Sequence, residues 1–396
     1  MNVLAQQGFG PKDKLTRGLE QGCISGVVFS PRYLSPDRMR ETIVQLRGAG
    51  RQLLMDPEFF ATAYLRHPQP NLGTLEQWDY FQPPRRAGLI SGSLIPEIIQ
   101  HCVQTQAGMG LGEWIAPSVY VRAADSMDSG IALNFAAHAR RAADAVGKGV
   151  VFATLAVDRD VFLNGPGFRD IVDALTAIDD PPDGYYILVG SGESRASNNQ
   201  LRSDIYHPEV IAGLMYANYA LSINGARIIN GYCHLLGPLM GACGAEAASS
   251  GWFSGLRRFS MNKYVKDESG GRAPVIRYVS TPLLSRIRQS DFLAYQSILP
   301  EVASNTPSDS LYSREEPSRT DEALQSWEAV QTLSRVCISG NIPGDIEKFK
   351  QRVIRASELW FALQETGFSQ DVEPNLERLT AIRDGITLFE KLAELA

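Results

Sequence analysis

The 396-residue sequence lacks any apolar run near the ~18–20 residues that a bilayer-spanning helix needs, so no membrane segment is expected. Its first residues, MNVLAQQGFGPKDK, lack the apolar core of a signal peptide, and a cytoplasmic location is expected. Cysteine is scarce: Cys23, Cys102, Cys233, Cys243 and Cys337 lie far apart with no CxxC pair. That spacing excludes a disulfide framework or a zinc knuckle and reads as buried thiols in a reducing compartment. Five histidines are scattered singly, so HxxxH and HExxH metal chemistry has no foothold. No Walker lysine, complete dinucleotide fingerprint or G-x-S-x-G elbow occurs, and no cofactor is assigned. Basic charge is not in excess either. Lys and Arg number 38 against 44 Asp and Glu, a net charge of −6. A chain-wide nucleic-acid footprint is thereby excluded, and any polyanion contact must be local.

What the sequence does contain is alternation. Short β-branched runs alternate with helix-period segments over the first two-thirds, the pattern of βαβ units in a parallel sheet. "GVVFSP" (26–31), "RQLLMDPEFF" (51–60), "APSVYVRAAD" (116–125), "GVVFATLAVD" (149–158) and "GYYILVGSGE" (184–193) read as strands. So do "ARIINGYC" (226–233), 245–250 and "PVIRYVS" (274–280), with helices between them. About eight βα units in roughly 280 residues match the size of a (β/α)8 TIM-type barrel. An open doubly wound sheet is the alternative, since periodicity does not distinguish closure from an edge. The expected boundaries are a barrel over 1–300, a Ser- and Pro-rich linker over 301–317, and a helical C-terminal unit over 318–396. Three charged-faced helical segments make up that unit.

In such a barrel, function sits at the carboxyl ends of the strands. Residues placed there include Asp56, Asp125, Asp158, Glu193, Ser249 and Trp252, and convergent carboxylates could divide acid and base roles. Each has a plainer reading. Asp56 precedes Pro57 and could cap a turn; Asp158 could cap a helix or pair with Arg159. "GSGE" resembles a phosphate cradle only weakly. Between 257 and 288 the charge reverses locally: Arg257, Arg258, Lys263, Lys266, Arg272, Arg277, Arg286 and Arg288 face only Asp267 and Glu268. With Tyr264 and Tyr278 interleaved, this reads as a phosphate-contacting surface or as a solvated rim.

The order of motifs resembles the tRNA-guanine transglycosylase family, including its DNA-modifying relatives. "LLMDPEFF" resembles its strand ending in an aspartate. "DGYYILVGSGES" resembles its Gly-Tyr strand and V-G-E turn, "ARIINGYCHLLG" its arginine-led strand, and "GACGAEAASSGWFSGLRRFS" its final strand and arginine hairpin. The likeness spans about residues 26 to 290. It implies Asp56 as the acid/base facing the exchanged base, and Val189, Gly190 and Glu193 at the purine. It also implies Trp252, Arg257 and Arg258 near the nucleic-acid backbone. Two departures stand out. Ser249 occupies the place of the family's nucleophilic aspartate, with Glu246 the nearest carboxylate, and the family's zinc-binding cysteines are missing.

Two functional classes follow. The first is a barrel enzyme that modifies a nucleobase or transfers a glycosyl group, with Asp56 and Glu193 handling protons and Glu246 or Ser249 near the sugar. Val189, Gly190, Asp125, Asp158 and Trp252 would bind substrate; Arg257, Arg258, Lys263 and Arg272 would hold phosphate. The second is a non-catalytic transglycosylase-like subunit that binds nucleic acid, or a protein partner through its C-terminal helices, in a homo- or hetero-oligomer. A lyase using a Schiff base is disfavoured because no lysine closes a strand.

Overall fold

In a computed structural model that describes residues 1–10, 12–191, 205–266, 275–314, 317–368 and 372–395, eight strand positions stand side by side, all parallel. They are β1 (Asn2–Gln6), β2 (Gly26–Phe29), β3 (Gln52–Met55), β4 (Glu113–Ala116) with β5 (Tyr120–Val121), β6 (Val150–Asp158), β7 (Gly184–Gly190), β8 (Arg227–Asn230) and β9 (Ala247–Ser250). Their order is β3-β2-β1-β9-β8-β7-β6-β4, a sheet nearly closed into a barrel. Among the described residues no ladder joins β3 to β4. Gln52 Nε2 donates to Glu113 Oε2 across that gap at 2.6 Å. The chain is a (β/α)8 barrel with C-terminal helices.

Burial explains the strand compositions. β2, β7 and nearly all of β6 are buried on both faces, as strands between a packed lumen and covering helices must be. The helices are α1 (Asp13–Glu20), α2 (Pro36–Leu46), α3 (Arg86–Ile90), α4 (Ile95–Gly108), α5 (Met127–Asp144), α6 (Asp160–Leu163), α7 (Gly165–Thr176), α8 (Pro208–Ile223) and α9 (Gly237–Ala242). Proline opens α2, α4, α7 and α8 within their first turns, where its missing N–H costs nothing.

Three sequence expectations need correction. The first strand of the barrel is β1, inside the stretch read above only for its lack of a signal core. The strand expected over 116–125 is instead the end of β4 at Ala116 and the separate β5, which pair with successive parts of β6. Pro117 lies between them, and with no N–H it cannot continue a ladder. The run 274–280 is not a barrel strand. Its described part forms β10 (Arg277–Ser280), antiparallel to β11 (Ser285–Arg288), in a separate hairpin. The number of eight strand positions stands, but its membership changes.

After the hairpin come α10 (Gln289–Ile298), α11 (Asp309–Arg314), α12 (Arg319–Cys337), α13 (Ile342–Glu365) and α14 (Val372–Leu392). Within the stretch expected as a linker, Val302 and Tyr312 are buried and Ser308 Oγ donates to Glu328 of α12 at 2.9 Å. α12 starts at a capping box, with Ser318 and Asp321 bonding each other's backbone N–H. Buried on most of its circumference, α12 sits between barrel and hairpin. Trp327 donates to Ser250 O at the end of β9 (2.8 Å), and Gln325 bonds both backbone groups of Val279 in β10. α14 lies on α8, with Tyr219 edge-on to Phe389.

Candidate functional site at the barrel mouth

The carboxyl ends of the strands supply a buried polar cluster beneath an aromatic layer. Asp56, just past β3, is fully buried. Its Oδ1 accepts the Glu58 N–H at 2.9 Å, and its Oδ2 lies 3.5 Å from the Tyr186 hydroxyl, which enters from β7. Glu58 is also fully buried but richly partnered. It accepts from Ser30 Oγ and Tyr264 OH at 2.8 Å and pairs with Lys263 Nζ at 2.7 Å. Gln6 at the end of β1 accepts the Ser249 hydroxyl at 2.7 Å, yet its Nε2 is buried with no acceptor.

These environments drive the two carboxyls apart. Burial, then the neighbouring Glu58 charge, push Asp56 up to about 7. Burial also opposes the charge of Glu58, but Lys263 and the Tyr264 and Ser30 hydroxyls outweigh it and hold the carboxyl below its ordinary value. Burial works against the Lys263 ammonium too, and Glu58 reverses that and raises it above the usual lysine range. The site thus holds one carboxyl titrating near neutrality beside one fixed as an anion.

A crossing segment, residues 252–266, closes the mouth from above. Its middle is fastened beside the end of β7, where Ser191 N–H donates to Phe259 O at 3.0 Å. Its far end is fastened to the loop after β3, where Asn71 N–H donates to Tyr264 O at 2.8 Å and Lys266 N–H to Gln69 O at 3.0 Å. Phe259 plugs the centre, 5.3, 5.4 and 6.0 Å from the rings of Phe60, Tyr232 and Tyr120. The Lys263 ammonium sits 4.8–5.1 Å from the rings of Tyr232, Phe259 and Tyr264 while bonding Glu58. No lysine closes a strand, but one reaches the mouth from this segment.

Backbone strain gathers here as well. Glu58 (φ 48°), Tyr232 (φ 57°) and His234 (φ 38°) adopt left-handed conformations that side chains disfavour. At the end of β7, a Cβ on Gly190 would fall 1.9 Å from the Tyr120 hydroxyl. Only glycine lets Tyr120 reach Asp158, to which it donates at 2.8 Å. Beside the cluster, a cleft of about 360 Å³ opens between the β1–α1 and β2–α2 loops, lined by Gln7, Tyr33, Arg38 and Trp252 among others.

The expected site residues separate under this geometry. Asp56 and Ser249 meet at the mouth through Tyr186 and Gln6, and buried Val189 and Gly190 lie on its β7 wall. Trp252 lines the neighbouring cleft, donates to Phe9 O at 3.0 Å and stands edge-on to Trp327. Asp158 is buried at the end of β6, where it accepts from Tyr120 and the Asp160 N–H. Asp125 is exposed in the turn before α5.

Other placements overturn their expectations. Glu246 is not near Ser249's end of the strand: it precedes β9 at the amino end of the barrel and pairs there with Arg227. Arg257 is buried and Lys263 is engaged by Glu58, so neither forms a surface phosphate contact. Arg258 is exposed, while Arg286 is ion-paired with Glu322 at 3.0 Å. The expected basic face is therefore divided between core and surface. Glu193 and Arg272 lie outside the described residues.

The sequence reading gives no place to Tyr186, Gln6 or Phe259; it has Glu58 and Tyr232 only as residues at strand ends and Tyr264 only as an aromatic among the basic residues. For Gln6 a signal existed: "NVLAQQGFG" is an apolar run ending in polar residues and a glycine turn, the form of a strand end. Among the described residues, no group of three or more His, Cys, Asp or Glu is placed to hold a metal ion, and no helix is long and apolar enough to cross a membrane.

No protein-family model matches the sequence, and no curated protein does. Among solved structures, a glycosyl hydrolase of the GH3 family from Mycobacterium smegmatis aligns over 83% of this chain and 94% of its own. Its TM-score is 0.38 and its identity 11%. The fold class rests on the sheet itself.

Proposed function

We propose that the protein is a barrel enzyme acting at the bond between a nucleobase and its sugar, with altered transglycosylase-like chemistry. The observation that carries this reading is the buried Asp56, titrating near 7 beside an anionic Glu58 at the barrel mouth. Asp56 enters the reaction protonated and gives its proton to a ring nitrogen of the departing base. The bond between that nitrogen and the sugar carbon breaks, and its electron pair stays with the base. Glu58, held ionised by Lys263, stabilises the cationic character that develops on the sugar. Water or an incoming base then bonds the sugar carbon and returns a proton to Asp56. No covalent intermediate is invoked, because Ser249 donates its hydroxyl to Gln6 and has no base beside it. Substrate approaches Asp56 from the cleft at Trp252, with Lys263 remaining on Glu58.

The test measures exchange of labelled guanine into bulk tRNA and into duplex DNA, together with release of free base from nucleosides. Wild type should be active in one assay, and Asp56→Asn should lose roughly 10²–10⁴-fold while remaining cooperatively folded. A fully active Asp56→Asn variant would remove this mechanism.

The unactivated Ser249 favours a second reading, a non-catalytic subunit that binds nucleic acid. It predicts no turnover in any of those assays, with salt-dependent binding that weakens in Arg258→Ala.

A further inference from the structure

Arg257 has no part in the site above. It lies where the 252–266 segment, the β10–β11 hairpin and α12 come together. The residue is 8% exposed, and its Nε, Nη1 and Nη2 are all buried without a hydrogen-bond acceptor. A guanidinium carries five donors in one plane and keeps its proton under ordinary conditions. Leaving one bare in an interior is among the most costly arrangements a fold can hold.

Among the described residues the surroundings do not supply the missing negative charge. Arg286 and Arg277 add positive potential at Arg257. Glu322, the carboxylate within electrostatic reach, is already shared by Arg286 at 3.0 Å and Arg319 at 2.6 Å. Arg286 Nε is itself buried with no acceptor. Burial, then repulsion from Arg286, press Arg257 well below the usual arginine range. On the barrel side, His234 is kept neutral by burial and by the same two arginines, with its Nε2 3.0 Å from Ser326 Oγ. Positive charge from separate chain segments therefore meets in one seam with donors to spare.

We propose that this seam binds a small oxyanion of the phosphate or sulfate class, held by the Arg257 fork with Arg286 Nε as a further donor. Two parallel N–H groups of a guanidinium match two oxygens of a tetrahedral anion, which accounts for donors that nothing else satisfies. The burial of Arg257 selects a free anion over the backbone of a nucleic acid. Arg257 belongs to the barrel's crossing segment and Arg286 to the hairpin packed on α12, so the anion fastens the C-terminal unit to the mouth. The inference is independent of any role for Asp56.

The test is thermal unfolding of the full chain, dialysed into chloride, on addition of inorganic phosphate or sulfate at matched ionic strength and pH. The wild-type midpoint is expected to rise and saturate with either anion. Arg257→Met and Arg286→Met should lose that rise, and the exposed control Arg258→Met should keep it. Arg257→Lys, which retains charge without the fork, should need ~10-fold more phosphate, and it serves if the methionine variants do not fold. An undiminished phosphate response in Arg257→Met or Arg257→Lys would overturn the proposal. So would a wild-type midpoint indifferent to both anions.

Discussion

At the amino end of the barrel, Arg227 lies between Glu113 at 2.9 Å and Glu246 at 2.6 Å, with side chains 35%, 26% and 30% exposed. At the carboxyl end, Lys263 faces Asp56 and Glu58 from within, and both carboxylates are fully buried. Each end sets two carboxylates around one cation, yet the physical results differ. Water screens the Arg227 group, and a wide cleft of about 440 Å³ opens beside it. Its carboxylates need not compete, because solvent stabilises whichever is less well paired. At the mouth no solvent does this. Lys263 fully compensates one carboxylate, and the other takes up a proton near neutrality. A salt bridge stabilises; an unequal buried pair is poised for proton transfer.

The sharpest way to break this contrast is to remove each cation. Lys263→Met leaves Glu58 buried without its counter-ion and should cost ~3–5 kcal/mol in urea unfolding. Next comes the pH dependence of Asp56. Its folded-state value is raised, so the folded protein keeps a proton that the unfolded chain releases between about pH 4 and 7. Asp56 therefore makes wild type lose stability as pH rises through that window. Asp56→Asn should remove that part of the slope and be more stable than wild type at pH 8, by on the order of 2–4 kcal/mol. The two proteins should converge below pH 4. If Asp56 is the acid, wild-type kcat/KM should also fall above about pH 7.

Smaller effects sharpen the same comparison. Arg227→Met should cost only ~1 kcal/mol, shrink further in high salt, and leave activity unchanged. A loss matching that of Lys263→Met would show that the two ends are not physically distinct. Ser249→Ala removes one hydrogen bond to Gln6 and should cost ~1 kcal/mol or less. Its base-exchange rate should stay within about threefold of wild type, whereas a serine nucleophile would make it inactive.

Much of the barrel was legible in the order of residues, and the errors were local. "GVVFATLAVD" and "GYYILV" could only be buried strands, and β6 and β7 form there. β1 escaped because its short run sits at the chain's start, where no preceding helix sets the rhythm. "PVIRYVS" has strand composition but pairs with β11, because composition reports β structure without saying which sheet receives it. At the site, Asp56 was legible as a carboxylate ending a strand. Its partners were not. Lys263 joins Glu58 from 205 residues away, and no local pattern announces that a basic stretch will fold inward.

Residue order alone determined that this chain builds a parallel α/β sheet with helices after it, since buried β-branched runs and amphipathic periods bury their faces in few ways; that the sheet nearly closes into a barrel is seen only in the strand order of the structure. Tertiary structure decided which charges meet. Glu246 and Ser249 are three positions apart, yet one stands at the amino end of the barrel and the other at its mouth. Where a strand begins fixes which end each residue occupies. Whether an acid titrates at 4 or at 7 depends on the water and counter-charge that distant segments admit or exclude.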